Sequence, residues 1–553
     1  MIRLKPEEVL KRYSASQNKK EQWRGIYEDC YKYALPQRNL YEGYYEGKLP
    51  GQDKMQNVFD STAISSTQRF ANRLQANLFP AYKEWCRLEP GNDIPPEKRT
   101  EVQGVLDEYQ KKMFSILRQT NFDLAIGEFL LDLAVGTAVM LVQPGDSTNP
   151  INFTPIPQYL VNLEEGPHGT VDNVYRKFRT RSEALQRQFP EATFSKELQS
   201  YIKDHPTKYV DFIEATIFDP TQGDYCYHVI KGKSDDPTFS SSGPAEEIVY
   251  KRIDTSPFVV SRYSKVPGEV YGRGPLLTAL PDIKTLNKTV ELVLKNASLA
   301  ITGVYTAADD GILNPETVRI VPGAIIPVAR NSGPMGASLA PLPRAGDFNI
   351  AQIEINDLRM QIKKILLDES LPPEQFKPRS ATEIAERMKE LAQNLGSAFG
   401  RLITETMIPV VKRVLNIMDE QGLIDLPLKV NGLEVKLIPV SPLAKAQNLD
   451  DVNSMIQFYE ITNALGPGGQ ASIKPDVIAS YIAEKMHIPS EVLTTEEEKQ
   501  QIQEQSQQMV KQMMEQQQGA AAPQGQPPQG QPPQEETPPE AEVPEGAVES
   551  MRA

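Results

Sequence analysis

The side chains that most often carry catalysis are sparse in this chain and poorly spaced. Its four histidines, His168, His205, His228 and His487, are scattered. A zinc site of the HExxH type needs two histidines one helical turn apart with a glutamate beside the first, and no such spacing occurs. Each histidine therefore reads as a surface or packing residue. Cys30, Cys86 and Cys226 lie far apart and form no CxxC pair. That fits a reducing compartment and argues against a disulfide or zinc scaffold. "GYYEGK" (43–48) resembles a phosphate loop but is one residue short between its glycines, and Leu49 stands where Ser or Thr belongs. "GKS" (232–234) has Tyr227 in place of the first glycine. Without that glycine the backbone amides cannot cradle a phosphate. No GxSxG elbow is present. Carboxylates are plentiful, but nothing pairs two of them in a pocket. The expectation is no catalytic residue, no metal, no cofactor and no enzymatic activity.

Two local motifs remain. "YGRGP" (271–275) supplies Gly272 and Gly274 for tight backbone, Arg273 between them, and Pro275 near a helix start. It reads first as a turn from a strand into a helix, and second as a place where Arg273 meets a ligand or partner. "DESLPPEQFKPRSATEIAERMKE" (368–390) breaks a helical pattern at Pro372, Pro373 and Pro378, then restarts it. Proline inside a helix loses a hydrogen bond and clashes with the preceding turn, at about 3 kcal/mol or more. Ser380 and Glu383 fit a capping box for the restarted helix, worth about 1 kcal/mol. Lys377 and Arg379 are the cations of this loop. Contact with a polyanion and a plain solvated loop both remain open for them.

The elements that must carry these motifs follow from periodicity. Residues 6–36 read as a helix bounded by prolines, with Trp23, Ile26, Tyr27, Cys30 and Tyr31 available for its apolar face. Residues 57–80 place Ala63, Phe70, Leu74 and Leu78 on one side, and two more helical stretches follow. From Ala138 the texture becomes short, β-rich and punctuated by Gly, Pro and Asp, with one helix near 181–189. "VNLEEGPHGTVDNVYRKF" reads as a hairpin within a mainly antiparallel region. Helix returns over 282–301, where Ile283, Leu286, Val290, Val293, Ala297 and Ile301 form one stripe. A small α/β insert is expected over about 302–346, then a second helix over about 349–368 with Ile355, Leu358, Ile362 and Ile365 in phase. The helix restarted at Ser380 could run to Gly422 with a kink at Pro409. Asn431-Gly432 signals a hairpin, and small helices follow to about residue 490. Beyond Thr494 the Glu/Gln/Pro-rich sequence lacks the apolar content to offset ordering entropy and reads as mostly disordered, with a marginal helix possible over 496–517.

The chain of 553 residues carries a formal charge of −14. Residues 496–553 hold eleven acidic and three basic residues, or −8 of that total. Such a balance argues against a protein that simply coats nucleic acid. "MIRLKPEEVLKRY" is charged from its third residue and does not read as a signal peptide. "FLLDLAVGTAVMLV" (129–142) is too short for a membrane span and contains Asp132. A soluble intracellular protein without membrane contact is expected.

The order of these segments resembles the portal, or head-to-tail connector, proteins of short-tailed, podovirus-type bacteriophages. The echoes are "GTVDNVYRKF", "VYGRGPLLTALPDIKTLNKTVELVLKNASLA" and "RSATEIAERMKELAQNLGSAFGRLITETMIPVV", within a likeness spanning about 1–490. The resemblance implies an α+β portal-type fold. Its parts would be a wing, helical then mainly antiparallel β (1–273), stem helices (274–301 and 347–368) around a clip (302–346), and a tunnel loop (369–379). A long kinked helix with returning wing strands (380–440), a small helical crown (441–493) and the acidic tail (494–553) complete it. Gly272, Arg273, Gly274 and Pro275 would be the wing-to-stem turn, and Phe376, Lys377 and Arg379 would face the DNA channel. The resemblance further implies a ring, typically of twelve subunits, at the capsid vertex of the virion, assembled in the host bacterial cytoplasm. Double-stranded DNA would pass through it without sequence recognition. Its protein partners would be the terminase large subunit, the major capsid and scaffolding proteins, a tail adaptor, and internal core or ejection proteins. The other reading is a helical virion scaffold or adaptor with no DNA channel.

Overall fold

The structure is a computed structural model. It describes residues 3–39, 54–95, 98–146, 148–231, 245–302, 305–307, 339–341, 348–368, 396–425, 435–440 and 442–465, with 474, 477–479 and 481–482. The chain divides into two compact units, Met1–Ile478 and Ala479–Ala553, and the architecture that follows is that of the first.

Helices and sheets alternate as the periodicity requires, with one instructive break. The expected helix over 6–36 is two helices, α1 (Pro6–Glu21) and α2 (Arg24–Ala34). Pro6 opens α1, and Glu8 accepts a bond from the Lys5 amide at 3.1 Å. The break at Gln22–Trp23 lets the two helices serve different cores. Val9 and Tyr13 of α1 pack on Tyr175, Ile213 and Ile217, while Tyr27, Cys30 and Tyr31 of α2 pack elsewhere.

Next come α3 (Thr62–Leu78), the strand β1 (Cys86–Pro90), α4 (Arg99–Leu117) and α5 (Phe122–Val135). The apolar run 129–142 is shared between the end of α5 and β2 (Thr137–Pro144), which meet at Gly136. Asp132 within it is buried and answered: the Tyr31 hydroxyl and an Arg38 N–H each donate to its carboxylate at 2.9 Å. β2 is buried for six residues because it is the middle strand of three, flanked by β3 (Ile151–Ile156) and β9 (Phe258–Arg262).

The second sheet is a five-stranded antiparallel meander. It runs β4 (Val161–Glu165), β5 (Val171–Arg181), β6 (Tyr209–Asp219), β7 (Asp224–Lys231) and β8 (Glu247–Ile253) in spatial order. The expected hairpin is β4–β5, paired Leu163 to Val174. The short α6 (Leu185–Gln188) falls in the expected helical stretch. A further helix, α7 (Lys196–Asp204), is capped by Ser195, whose hydroxyl accepts from the Leu198 amide.

α8 (Pro275–Thr302) is longer than its expected stripe and holds Pro281 within it. At 1.5 Å per residue it is about 42 Å long. It packs beside α9 (Phe348–Ile365), Ile283 and Leu286 sharing one core with Ile355 and Ile362. Of the intervening insert, β10 (Tyr305–Ala307) and β11 (Leu339–Pro341) are described, and they pair antiparallel.

The long-helix expectation is described from 396 onward as α10 (Ser397–Leu402), a π-turn (Ile403–Met407) and α11 (Ile408–Glu420). Pro409 has no N–H to return to the carbonyl four residues back, and the widened turn just before it absorbs that loss. β12 (Val435–Pro439) pairs antiparallel with β1, and α12 (Pro442–Ala464) follows it. The partner strand expected across Asn431-Gly432 lies outside the described residues. No helix among the described residues is long and apolar enough to cross a membrane.

Candidate functional site

The YGRGP segment lies where the three-stranded sheet hands over to α8, and its glycines are required by backbone contact. Gly272 faces Gly136, and a Cβ on either would stand inside the carbonyl oxygen of the other. A Cβ on Gly274 would meet the Ala134 carbonyl in the same way. Gly136 has φ +145°, a conformation side chains rarely allow. The close approach is sealed by hydrogen bonds. Gly272 N–H donates to the Thr137 hydroxyl at 2.8 Å, Gly274 N–H to the Val135 carbonyl at 3.0 Å and Arg273 N–H to the Ser264 carbonyl at 2.8 Å. Pro275 opens α8, where its missing N–H costs nothing.

Arg273 itself is half exposed. It donates to both carboxylate oxygens of Glu269 at 2.7 Å and lies 5.0 Å above the Trp23 ring. Next to it Tyr271 is buried against Trp23 and Tyr27, and its hydroxyl accepts from the Leu163 amide at 3.2 Å. Burial pushes that phenol well above its usual pKa. The described contacts of Arg273 thus all lie within the chain, at the turn from β9 into α8.

The strongest electrostatic feature of this junction has no sequence motif. Arg262, at the end of β9, is 2% exposed. Its side chain donates to Glu405 of the π-turn at 2.7 and 3.3 Å, and its own backbone N–H reaches the same carboxylate at 2.8 Å. It also donates to the Gly169 carbonyl at 2.9 Å, in the β4–β5 turn, and to the Val270 carbonyl at 3.5 Å, ahead of α8. Arg401 adds a second cation to Glu405 at 3.2 Å, and Lys265 binds Glu165 and the Gly169 carbonyl. Buried guanidinium is stable only when fully answered, and here three separate segments converge to answer it. Nearby, Lys20 is buried and donates to the carbonyls of Gln158, Tyr159 and Val161 at 2.6 to 2.8 Å, pinning α1 to the segment before β4. Burial lowers its pKa to about 7, and the neighbouring Glu21 carboxylate opposes the shift.

Away from the junction the α8–α9 pair changes character. Near the base, Asn287 accepts from the Phe59 amide at 2.7 Å and Arg359 donates twice to Asp60 at 2.7 and 3.0 Å. Farther out, Leu292, Leu294, Ile350 and Ile353 are each 53–64% exposed. Large apolar side chains left this open on two adjacent helices are suited to contact with another protein surface.

Among the described residues no group of three or more His, Cys, Asp or Glu could hold a metal ion. His168 is exposed, His205 ends α7 against Tyr201, and His228 is fully buried with Nδ1 2.6 Å from Glu247. Phe376, Lys377 and Arg379, the capping box at Ser380, His487, and the two phosphate-loop look-alikes lie outside the described residues. The Arg262–Glu405 and Lys20 networks were missed because their partners are 143 and 138 residues away, and no local pattern marks them.

Comparison with known proteins gives a consistent result. The model of the bacteriophage head to tail connecting protein family matches residues 6–493. A probable portal protein of Bordetella phage BPP-1 is 23% identical over 493 residues, covering 86% of this chain and 85% of that one. The portal protein of Enterobacteria phage T3 is 22% identical over 445 residues, covering 77% and 78%. A chain in the neck of an empty gene transfer agent particle aligns over 79% of this chain and 94% of its own, at 13% identity and a TM-score of 0.34. Because the family match takes in the three- and five-stranded sheets, the glycine junction and the α8–α9 pair, this chain belongs to the bacteriophage head-to-tail connecting protein family.

Proposed function

We infer that this chain is a structural portal protein, forming a ring at the head–tail vertex of the virion through which double-stranded DNA enters and leaves. The observation that carries the reading is the family match over 6–493, which leaves little of the chain to do anything else. The exposed apolar residues of α8 and α9 support it, since a ring buries such surface between neighbours. The acidity of the chain supports it too. A conduit lined densely with cations would gain counterion-release free energy at each phosphate and hold the DNA.

Within this reading, 1–273 form the wing, 274–301 and 347–368 the stem, and 302–346 the clip that docks the packaging terminase and then the tail adaptor. Residues 369–379 form the tunnel loop, with Lys377 and Arg379 as sparse DNA contacts and Phe376 packing the loop on a neighbour. Residues 380–440 are the long helix and returning strands, 441–493 the crown, and 494–553 the tail, dispensable for assembly beyond about residue 520. The Gly272–Pro275 turn joins wing to stem. Twelve subunits, contacts with capsid, scaffolding and internal core proteins, and assembly in the host cytoplasm belong to the same proposal.

Electron micrographs of the purified chain test the ring directly. Rings with a central hole are expected; monomers or filaments would favour a scaffold or adaptor without a channel. Replacing 302–346 by a short Gly/Ser linker should leave the wing folded and abolish packaging in vitro. Normal packaging would remove the clip assignment.

A further inference from the structure

The C-terminal end of α9 is built with more strain and more ionic contact than a helix end needs. Leu366 still makes a helical bond to the Ile362 carbonyl at 3.0 Å. Leu367 then turns left-handed at φ +54°, and the Asp368 amide returns to the Lys363 carbonyl at 2.7 Å. That six-to-one closure is the Schellman pattern, in which glycine is the usual left-handed residue. Among the described non-glycine residues only Tyr82 shares a positive φ. A backbone outlier of this kind persists when its surroundings over-determine it.

The surroundings do so through four contacts. Leu366 is fully buried in the core shared by α2, α8 and α9, while Leu367 packs against the other large core, built on α3, α5 and α11. The left-handed turn thus sends consecutive side chains into two different cores. Asp368 is 4% exposed, and its carboxylate accepts from the Ser66 hydroxyl at 2.7 Å and from Arg69 at 3.3 Å. Arg73 donates to the Leu367 carbonyl. Ser66, Arg69 and Arg73 are spaced three and four apart, so one stripe of α3 grips the whole terminus. Two turns earlier, Arg359 bonds Asp60 just ahead of α3, so α9 is tied to the α3 segment at two levels.

We propose that Leu367 and Asp368 are positioning residues of the channel: together with Ser66, Arg69 and Arg73 they fix where the chain leaves α9. Load on the residues that follow is then carried by α3 and both cores instead of unwinding the helix. The proposal rests on the reading of 369–379 as the DNA-facing loop, and its test separates the two. A helix that only had to end could use glycine at 367 and leave Asp368 in water. The strained leucine and the buried carboxylate are what a mount requires.

The test uses assembled rings of the full chain and compares Asp368→Asn, which keeps shape but removes charge, with Leu367→Gly, which keeps the backbone but removes the prong. Trypsin does not cut Lys377 before Pro378, so Arg379 is the first usable site after the mount. Both variants should assemble with wild-type yield and raise the cleavage rate at Arg379 by roughly tenfold, with other sites unchanged, as expected for weakening one charged hydrogen-bonded contact in Asp368→Asn and for losing one packed apolar side chain in Leu367→Gly. DNA retained per particle should fall in both. Unchanged cleavage at Arg379 would overturn the mount. Faster cleavage with normal DNA retention, alongside altered retention in Lys377→Ala/Arg379→Ala, would overturn the positioning role and leave the loop reading standing. Normal retention in all three variants would remove the loop reading, and the functional half of the proposal with it. If Asp368→Asn fails to assemble, Leu367→Gly carries the same test.

Discussion

The two ends of the α8–α9 pair are built on opposite principles. At the base, glycine backbones touch, Arg262 is answered by three separate segments, and Arg359 and Asp368 are tied to α3 or the residue before its cap. At the far end Leu292, Leu294, Ile350 and Ile353 stand in solvent, and Lys295 bridges to Glu291 on its own helix. The base completes its interactions within one chain. The far end leaves apolar surface to be covered by something else, and in a ring that is the neighbouring copy. Stability of the subunit and assembly of the ring should therefore be separable, one residue set governing each.

The largest effect on folding is expected at the base. Gly274→Val places side-chain atoms inside the Ala134 carbonyl, and should cost about 3 kcal/mol or more and lower soluble yield, read by denaturant midpoint. A wild-type midpoint would mean the junction can open, and the contrast between the two ends would fail. Arg262→Met should follow at about 3 kcal/mol, because Glu405 is left with Arg401 alone among its cations. A Glu405→Gln change made on top of it should restore part of that loss, and no recovery would remove the ion pair from the account.

Lys20 sharpens the comparison through pH. Its folded pKa is lowered to about 7 from an ordinary 10.5, so the unfolded chain binds a proton that the folded chain releases between those values. The stabilisation is full above pH 10.5 and is lost as pH falls toward 7, then changes no further. Wild type should thus gain on Lys20→Met between pH 7 and 9, by at most about 1.4 kcal/mol per pH unit. The three carbonyls, by holding the charged form, reduce that slope. A flat difference in midpoint would show that they cancel the desolvation.

Arg273→Ala removes an ion pair exposed to water and a stacking contact on Trp23, and should cost about 1 kcal/mol or less. An Arg273→Ala subunit of near wild-type stability that no longer forms rings would revive the reading of Arg273 as a partner contact. The smallest folding effect belongs to the far end. Leu292→Ser with Ile353→Ser should move the midpoint by no more than about 0.5 kcal/mol while cutting ring yield, measured by sedimentation. Intact rings would show that this surface is not the interface.

Local chemistry made much of this legible in advance. Pro275 and the paired glycines announced the junction, alternating apolar residues announced β4–β5, and the stripe at Ile283 and Leu286 announced α8. The split at Trp23 was not legible, because both halves are good helix and only the two cores they serve separate them. The π-turn was half legible. Pro409 demanded a defect, but Glu405 facing Arg262 gives that turn its partner.

The sequence by itself determined where elements start, stop and turn, since proline, glycine and apolar period act over a few residues through backbone sterics and burial. The tertiary structure alone decided which charges meet. Arg262 with Glu405, Lys20 with the carbonyls before β4, Asp368 with Ser66, and β1 with β12 join residues more than a hundred positions apart. Closing a loop of that length costs little more than closing a shorter one, so no spacing is preferred and no local pattern records the partner. What selects it is that a buried charge or strand edge must be answered by whichever group the packed cores bring within reach.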